Sequence, residues 1–244
     1  MIKVMLRAHM ATFPPRQDIM WDTIHSIAPQ VDRLFLCLNE YTEIPAALNR
    51  FPNVEPLIPD KDLMDAGKFA FPAEKDDVVF TIDDDIIYPK DYIERMLQFA
   101  DKVDLEQNSI GYQAHAWVFK KRFGKHGWRN FLFGKECKKI IKVDVLGTGT
   151  VCAMGKNMPS LDDMITSAGF VDFRFSRHQI KCGVNMWTLP RDEGYVQGNL
   201  PDELWESSLF QTVNRQRAPG MQIEMRKLMQ EVQPNAGRPW EKLQ

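Results

Sequence analysis

No apolar run in this 244-residue chain approaches the roughly 20 residues that a helix needs to cross a bilayer. The opening stretch, MIKVMLRAHMATFPPR, is broken by Arg7 and His9 and is too short and too polar for a secretory leader. The expectation is a soluble, cytoplasmic protein, at most peripheral to the inner face of the membrane. Cysteine is scarce, and Cys37, Cys137, Cys152 and Cys182 share no C-x-x-C spacing. That argues against a zinc ribbon or a disulfide framework and fits a reducing compartment. An excess of one charge is lacking too: 31 basic and 33 acidic residues leave a net charge of −2, which makes no case for a nucleic-acid partner. Internal repeats and low-complexity segments are absent. At 44% hydrophobic and 26% charged residues, the composition is that of a globular protein long enough to bury a substantial core.

The first hundred residues alternate strand and helix patterns. IKVMLRA (2 to 8), DRLFLCLN (32 to 39), NVEPLIP (53 to 59) and DDVVFTID (76 to 83) read as strands. QDIMWDTIHSIA (17 to 28) puts Ile19, Met20, Ile24 and Ile27 on one helical face, and PKDYIERMLQFADKV (89 to 103) predicts a second helix with Pro89 at its start. This rhythm is that of a mostly parallel sheet with helical crossovers. Three consecutive carboxylates, Asp83, Asp84 and Asp85, then fall where a buried strand ends, at the carboxyl edge where open α/β sheets bind ligands. Along an extended backbone Asp83 and Asp85 would share a side and Asp84 would face the other. Two hard oxygen ligands on one side suit Mg²⁺ or Mn²⁺ held together with a substrate's phosphates, and a cation would offset the repulsion within the triplet. A solvated acidic turn is the alternative.

VVFTIDDDIIYPKDYIERM resembles the D-x-D region of GT-A glycosyltransferases, in particular family-2-like bacterial enzymes of surface-polysaccharide assembly. Other segments match in the same order over roughly residues 1 to 190: LRAHMATFPPR, VDRLFLCLNEYTEIP, DAGKF, DVLGTGTVCAM and GFVDFRFSRHQIKCGVNMWTLP. The first strand lacks the family's usual V-S-V-I-I-P-x-Y-N form, and the helix-start acid is a lone Asp172. The resemblance implies a GT-A-like, Rossmann-related open sheet over 1–195, with a nucleotide-sugar half (1–110) and an acceptor half (111–195). It implies transfer of a sugar from a nucleotide donor, a UDP-sugar being favoured, to a glycan or lipid-linked acceptor. Inversion at the anomeric carbon and dependence on Mn²⁺ or Mg²⁺ go with it. Asp83 and Asp85 would hold the metal. Ala8, Thr12, Arg16, Asn39, Lys68, Asp83 and Asp84 would lie against the donor, with Asp84 facing ribose or its own loop. Gly147, Thr148 and Gly149 would form the acceptor-side loop, and Asp172 would be the base that deprotonates the acceptor hydroxyl.

Each of these residues has a plainer reading. Lys68 can be a solvated loop lysine, Arg16 a helix-start residue with its head in solvent, Asn39 a turn residue and Asp172 a helix cap. Asp162 and Asp163 rival Asp172, although PSLDDM reads as a capped helix start. None of the five histidines shows ligand spacing. Between 120 and 142 nine Lys/Arg stand against the single acid Glu136, a local charge of +8, with Phe119, Phe123, Trp128, Phe131 and Phe133 interleaved. That segment reads either as a site for an anionic acceptor or as a solvated hairpin. PDELWESSLFQTVN (201 to 214) and MQIEMRKLMQEV (221 to 232) read as amphipathic helices of a C-terminal extension, 196–244, suited to packing on the catalytic domain or to homo-oligomer formation. An aspartate-based phosphohydrolase and a non-catalytic cation-binding domain are the competing classes. The former normally carries its acidic strand near the N-terminus and has no helix within four residues of it.

Overall fold

A computed structural model describes residues 4–205 and 219–243. Its centre is an eight-stranded mixed sheet built from β1 (Leu6–Thr12), β2 (Arg33–Leu38), β3 (Val54–Leu57), β4 (Val78–Asp83), β6 (Asn108–Gly111), β9 (Ile141–Val143), β11 (Thr150–Met154) and β12 (Asn185–Thr188). The spatial order is β3-β2-β1-β4-β11-β6-β12-β9. Six strands run in one direction, and β11 and β9 are antiparallel to their neighbours. The protein is thus α/β, with a mostly parallel sheet flanked by helices.

The sheet is buried on both faces, which is why its strands are apolar without clean alternation. On one face α1 (Gln17–Ile27) and α2 (Tyr92–Val103) cover Met10, Leu36, Phe80 and Ile82 with Met20, Ile24, Ile93 and Met96. On the other face Phe175 of α4 (Val171–Lys181) and Phe69 pack over Val151, Ala153 and Met186. Between β11 and α4 lies the short helix α3 (Leu161–Met164). The strand expected at 2 to 8 runs instead from Leu6 to Thr12, because pairing to β2 and β4 continues through Thr12. His9 is therefore a strand interior residue rather than the strand's end. The second helix starts at Tyr92, three residues beyond Pro89, whose carbonyl accepts the Tyr92 N–H.

Two smaller sheets complete the described part. β5 (Ile86–Ile87) pairs with β13 (Gln197–Gly198), and β7 (Ala114–Lys120) forms a hairpin with β8 (Lys125–Phe131) whose root pairs with β10 (Val145–Leu146). Of the predicted helix at 201 to 214, α5 (Asp202–Trp205) is described and the remainder lies outside the described residues. α6 (Pro219–Gln230) packs on α4 through Glu224, whose carboxylate bridges Arg174 and Arg177, while Glu231 takes a bidentate pair from Arg177. The chain beyond it is stitched to β9 and β12: Gly237 N–H donates to the Lys142 carbonyl, Trp240 N–H donates to the Ile140 carbonyl beside β9, and the Trp240 ring stands edge-on to Trp187.

Asp144 anchors this join. Fully buried, its carboxylate accepts from the N–H of Trp117 at 2.7 Å on one side and of Gln233 at 2.8 Å on the other. Asp144→Ala leaves two buried N–H groups without an acceptor, so we expect a loss of about 3 kcal/mol. Denaturant unfolding of the full chain measures it.

Candidate functional site

The parallel strands β1, β2 and β4 all end at one edge of the sheet, and the antiparallel β11 begins there, Thr150 lying opposite Ile82. The edge therefore gathers the β1 loop through Arg16, Asn39, the aspartate triplet and the glycine loop 147–149. Two further segments close over it. One is the 3-10 turn Met64–Phe69, which carries Asp65 and Lys68, and the other is the start of α4, which carries Asp172.

Lys68 sits at the centre. It is only 3% exposed, so it is not a solvated loop lysine, and its ammonium pairs with Asp83 Oδ1. Burial opposes the charge, but Asp83, then Asp65 and Asp172, outweigh burial and hold its pKa above the ordinary lysine value. Its backbone is pinned from below. Lys68 carbonyl bonds His9 Nδ1 at 3.0 Å, His9 Nε2 accepts from Arg7 Nε at 2.9 Å, and Arg7 pairs with Asp77 at 2.9 Å. Burial and the neighbouring Arg7 push the His9 pKa down to about 3, so the ring is neutral and each nitrogen has one role. Asn39 lies in the turn that follows β2, and its side chain is engaged by the protein. Its Nδ2 donates to Met64 carbonyl and its Oδ1 accepts Leu63 N–H, both at 2.9 Å, which fixes the entry to the same turn.

The triplet departs from the extended-chain expectation. β4 stops at Asp83, and residues 84 and 85 turn, so that one nitrogen, Arg16 Nη1, bonds Asp84 at 2.6 Å and Asp85 at 3.0 Å. Asp84 and Asp85 thus share a side. Arg16 is not in solvent: burial works against its charge, yet Asp84 and Asp85 raise its pKa further. Asp84 is buried in its own loop beneath Arg16 and Thr12. Thr23 holds the turn from α1, its hydroxyl lying 2.9 Å from the carbonyls of both Asp84 and Ile86. Burial, then repulsion from Asp83, lifts the Asp85 pKa to about 7. Ala8 does not reach this edge: it is fully buried in mid-strand, opposite Leu34 and Phe80.

Gly149 has a steric reason. A Cβ there would lie 2.0 Å from Asp83 Oδ2, so only glycine lets the loop run against that carboxylate. Tyr88, which the sequence reading passed over, ties the same parts together. Its hydroxyl accepts Asp83 N–H at 2.9 Å and donates to Gly149 carbonyl at 2.7 Å. At Gly147 a Cβ would meet the Gln113 side chain at 2.5 Å.

Asp172 does not cap its helix. Phe170 occupies the cap position, and Asp172 Oδ1 instead accepts both the N–H and the hydroxyl of Thr148, each at 2.7 Å. Its Oδ2 makes no hydrogen bond among the described residues. Burial raises its pKa, with Thr148 and Lys68 pulling the other way. Asp163 does belong to a capping box, closed with Ser160, and it and Asp162 are exposed. A second residue absent from the expectations is Asp65, whose Oδ1 accepts Gly169 N–H at 2.6 Å and whose pKa burial lifts to about 6. The D-A-G-K spacing held the signal: three residues is one turn of a 3-10 helix, which puts Asp65 beside Lys68. Among the described residues no three His, Cys, Asp or Glu side chains converge as a self-sufficient metal cage. Between the start of α1 and the loop after β2 lies a cavity of about 530 Å³, lined by residues including Pro14, Trp21, Glu40, Tyr41 and Glu43 and by none of the three aspartates. The Tyr41 phenol, raised to about 12 by burial, also feels the charge of Asp84.

No protein-family model matches the chain, and no curated protein matches it significantly in sequence. What fold and site define is an α/β protein with a carboxylate-rich cleft at the carboxyl edge of its sheet.

Asp65 makes the electrostatics testable. Its folded pKa of about 6 lies above the unfolded value of 3.8, so the native state holds the extra proton between those limits. Stability from this group is therefore complete at low pH and lost as pH rises from about 4 to about 6. Asp65→Asn keeps the acceptor for Gly169 and removes the titration. We expect the variant to gain on the order of 1–2 kcal/mol over wild type at pH 8, and the two to converge near pH 4, in melts recorded across that range without divalent cations.

Proposed function

We propose that the chain is a GT-A-type glycosyltransferase that moves a sugar from a nucleotide donor, a UDP-sugar first among candidates, to a glycan or lipid-linked acceptor. One observation carries the reading. Among the described residues five carboxylates (Asp65, Asp83, Asp84, Asp85 and Asp172) stand around two cations, Lys68 and Arg16, at the carboxyl edge of the sheet. A cleft so anionic repels a diphosphate unless a cation enters with it.

The residues fit such a cation. Asp83 raises the cost of ionising Asp85, and each of the two has one carboxylate oxygen paired to protein and a second not so used among the described residues. One or two carboxylates are what Mg²⁺ needs when phosphates supply further oxygens, which agrees with the lack of a complete protein cage. Bound there with the donor, Mn²⁺ or Mg²⁺ would offset the charge that builds on the departing diphosphate. Lys68 contributes a second, fixed positive charge at the same place. The cavity walls offer the rings of Trp21 and Tyr41 to a base, and Glu40 and Glu43 to ribose hydroxyls or base N–H groups.

Asp172 serves as the base. Thr148 orients one oxygen through two hydrogen bonds and leaves Oδ2 to take the proton of the acceptor hydroxyl as that oxygen attacks the anomeric carbon. A carboxylate whose pKa is raised by burial accepts a proton more readily than an ordinary one. Proton removal on one side and diphosphate departure on the other correspond to inversion. Thr12, Asn39 and Asp84 act on this reading by holding the loops rather than by touching the donor.

Calorimetric titration of UDP with and without Mn²⁺ tests the proposal. Affinity should require the metal, and Asp85→Ala should abolish that requirement together with the binding while the fold persists. Metal-independent UDP affinity, or none in either condition, refutes it. Asp172→Asn retains an acceptor for Thr148, so donor affinity should survive while transfer falls by on the order of 10²-fold or more. Undiminished transfer in that variant removes Asp172 from the chemistry and leaves Asp65 as the next carboxylate to replace.

A further inference from the structure

The hairpin β7–β8 is rooted in the core and ends in solvent. At its root Ala114, Ala116 and Phe131 are buried, and β10 joins it directly to the Gly147–Gly149 loop. Its seven paired residues per strand give it a reach of about 20 Å. At the tip Phe119 is 54% and Phe123 61% exposed, the two most exposed large apolar side chains among the described residues. A Cβ on the tip residue Gly124 would meet nothing within 4 Å, so none of the described residues covers the turn at that point.

Strand alternation puts His115, Trp117 and Phe119 on one face with His126 and Trp128 opposite them. These rings form a continuous ladder, Trp117 against Trp128 at 5.0 Å and Phe119 against His126 at 5.3 Å. Around it stand Lys120, Lys121, Arg122, Lys125 and Arg129. No acid occurs between Glu106 and Glu136, and none of these five cations forms a salt bridge among the described residues. Five cations without an ion pair among the described residues repel one another on a projecting finger, Arg129 near its root giving one hydrogen bond to the Gly237 carbonyl, and two exposed phenylalanines at its end present apolar surface, so both features are costs in water.

We propose that the hairpin tip docks on an anionic lipid bilayer, with Phe119 and Phe123 entering the headgroup–acyl boundary and the cations on lipid phosphates. Aromatic rings that lead and basic residues that flank are the arrangement such an interface selects. A soluble anionic glycan fits less well. The Trp rings meet edge to face at 61° and offer no flat platform, and the most exposed rings are phenylalanines, which have no hydrogen bond to give a sugar. The inference does not depend on the transferase reading, although a docked finger rooted beside Asp172 would bring a membrane-borne acceptor to the cleft.

Co-sedimentation of the full chain with phosphatidylcholine vesicles, with and without phosphatidylglycerol, tests this. Binding should need the anionic lipid and weaken with salt. The triple variant Lys120→Glu/Lys121→Glu/Arg122→Glu should bind roughly a hundredfold more weakly or worse, from about a fivefold loss per cation removed. Phe119→Ser/Phe123→Ser should lose about tenfold or more and should abolish the part of binding that survives high salt. Brominated lipid chains should quench Trp fluorescence in wild type and not in the serine variant. All five substituted side chains lie at the exposed tip, so unchanged melting temperatures are the control for folding. Equal or absent binding to both vesicle types, or full binding by the serine variant, overturns the proposal. So does retention by heparin, a soluble anionic glycan, without vesicle binding.

Discussion

A buried ammonium amid carboxylates is the constraint on which this molecule's candidate site turns. Lys68 is tolerable in the interior because Asp83 accepts it directly and Asp65 and Asp172 stand nearby. Those three acids in turn are tolerable near one another because Lys68 lies between them. Removing either side of such an arrangement strands like charge in a low-dielectric setting, where it costs several kcal/mol. Arg16 repeats the scheme one loop away, with Asp84 and Asp85. The two cations do not offset the five carboxylates around them, and a surplus of negative charge remains at the sheet edge.

Holding this arrangement occupies much of the sheet's interior polarity. The row Asp77–Arg7–His9 runs beneath the sheet edge to the Lys68 carbonyl, so a strand that looked apolar carries a buried polar rail. Tyr88 and Thr23 fix the turn after β4, and Gly149 keeps the room that Asp83 needs. On the far side, Arg174 and Arg177 tie α4 to α6 through Glu224 and Glu231, so the helix that presents Asp172 is braced by the C-terminal part of the chain. The extension therefore bears on the geometry of the site.

The projecting hairpin belongs to a different economy. Its root is packed, and its tip carries charge and aromatic surface that nothing among the described residues satisfies. Phe131 goes to the core while Phe119 and Phe123 do not, so the aromatics of this basic segment are packed at its root and exposed at its tip.

Period and position in the sequence were sufficient for the α/β alternation, for the placement of Asp83–Asp85 at the carboxyl edge and for the capping box at Ser160–Asp163. These depend on local backbone preferences and on apolar spacing, which a single chain segment expresses by itself. Pairing decided the rest. Whether β1 ended at Ala8 or Thr12 depended on β2 and β4, and with it whether His9 was a surface residue or part of a buried rail. The direction of Asp84 depended on where β4 ceased to be extended and on Arg16 arriving from 68 residues away. Asp172 was a cap or a free carboxylate according to whether Thr148 reached it, 24 residues earlier in the chain. Such distinctions rest on contacts between segments remote in sequence, and no local pattern encodes which remote partner will satisfy a buried polar group.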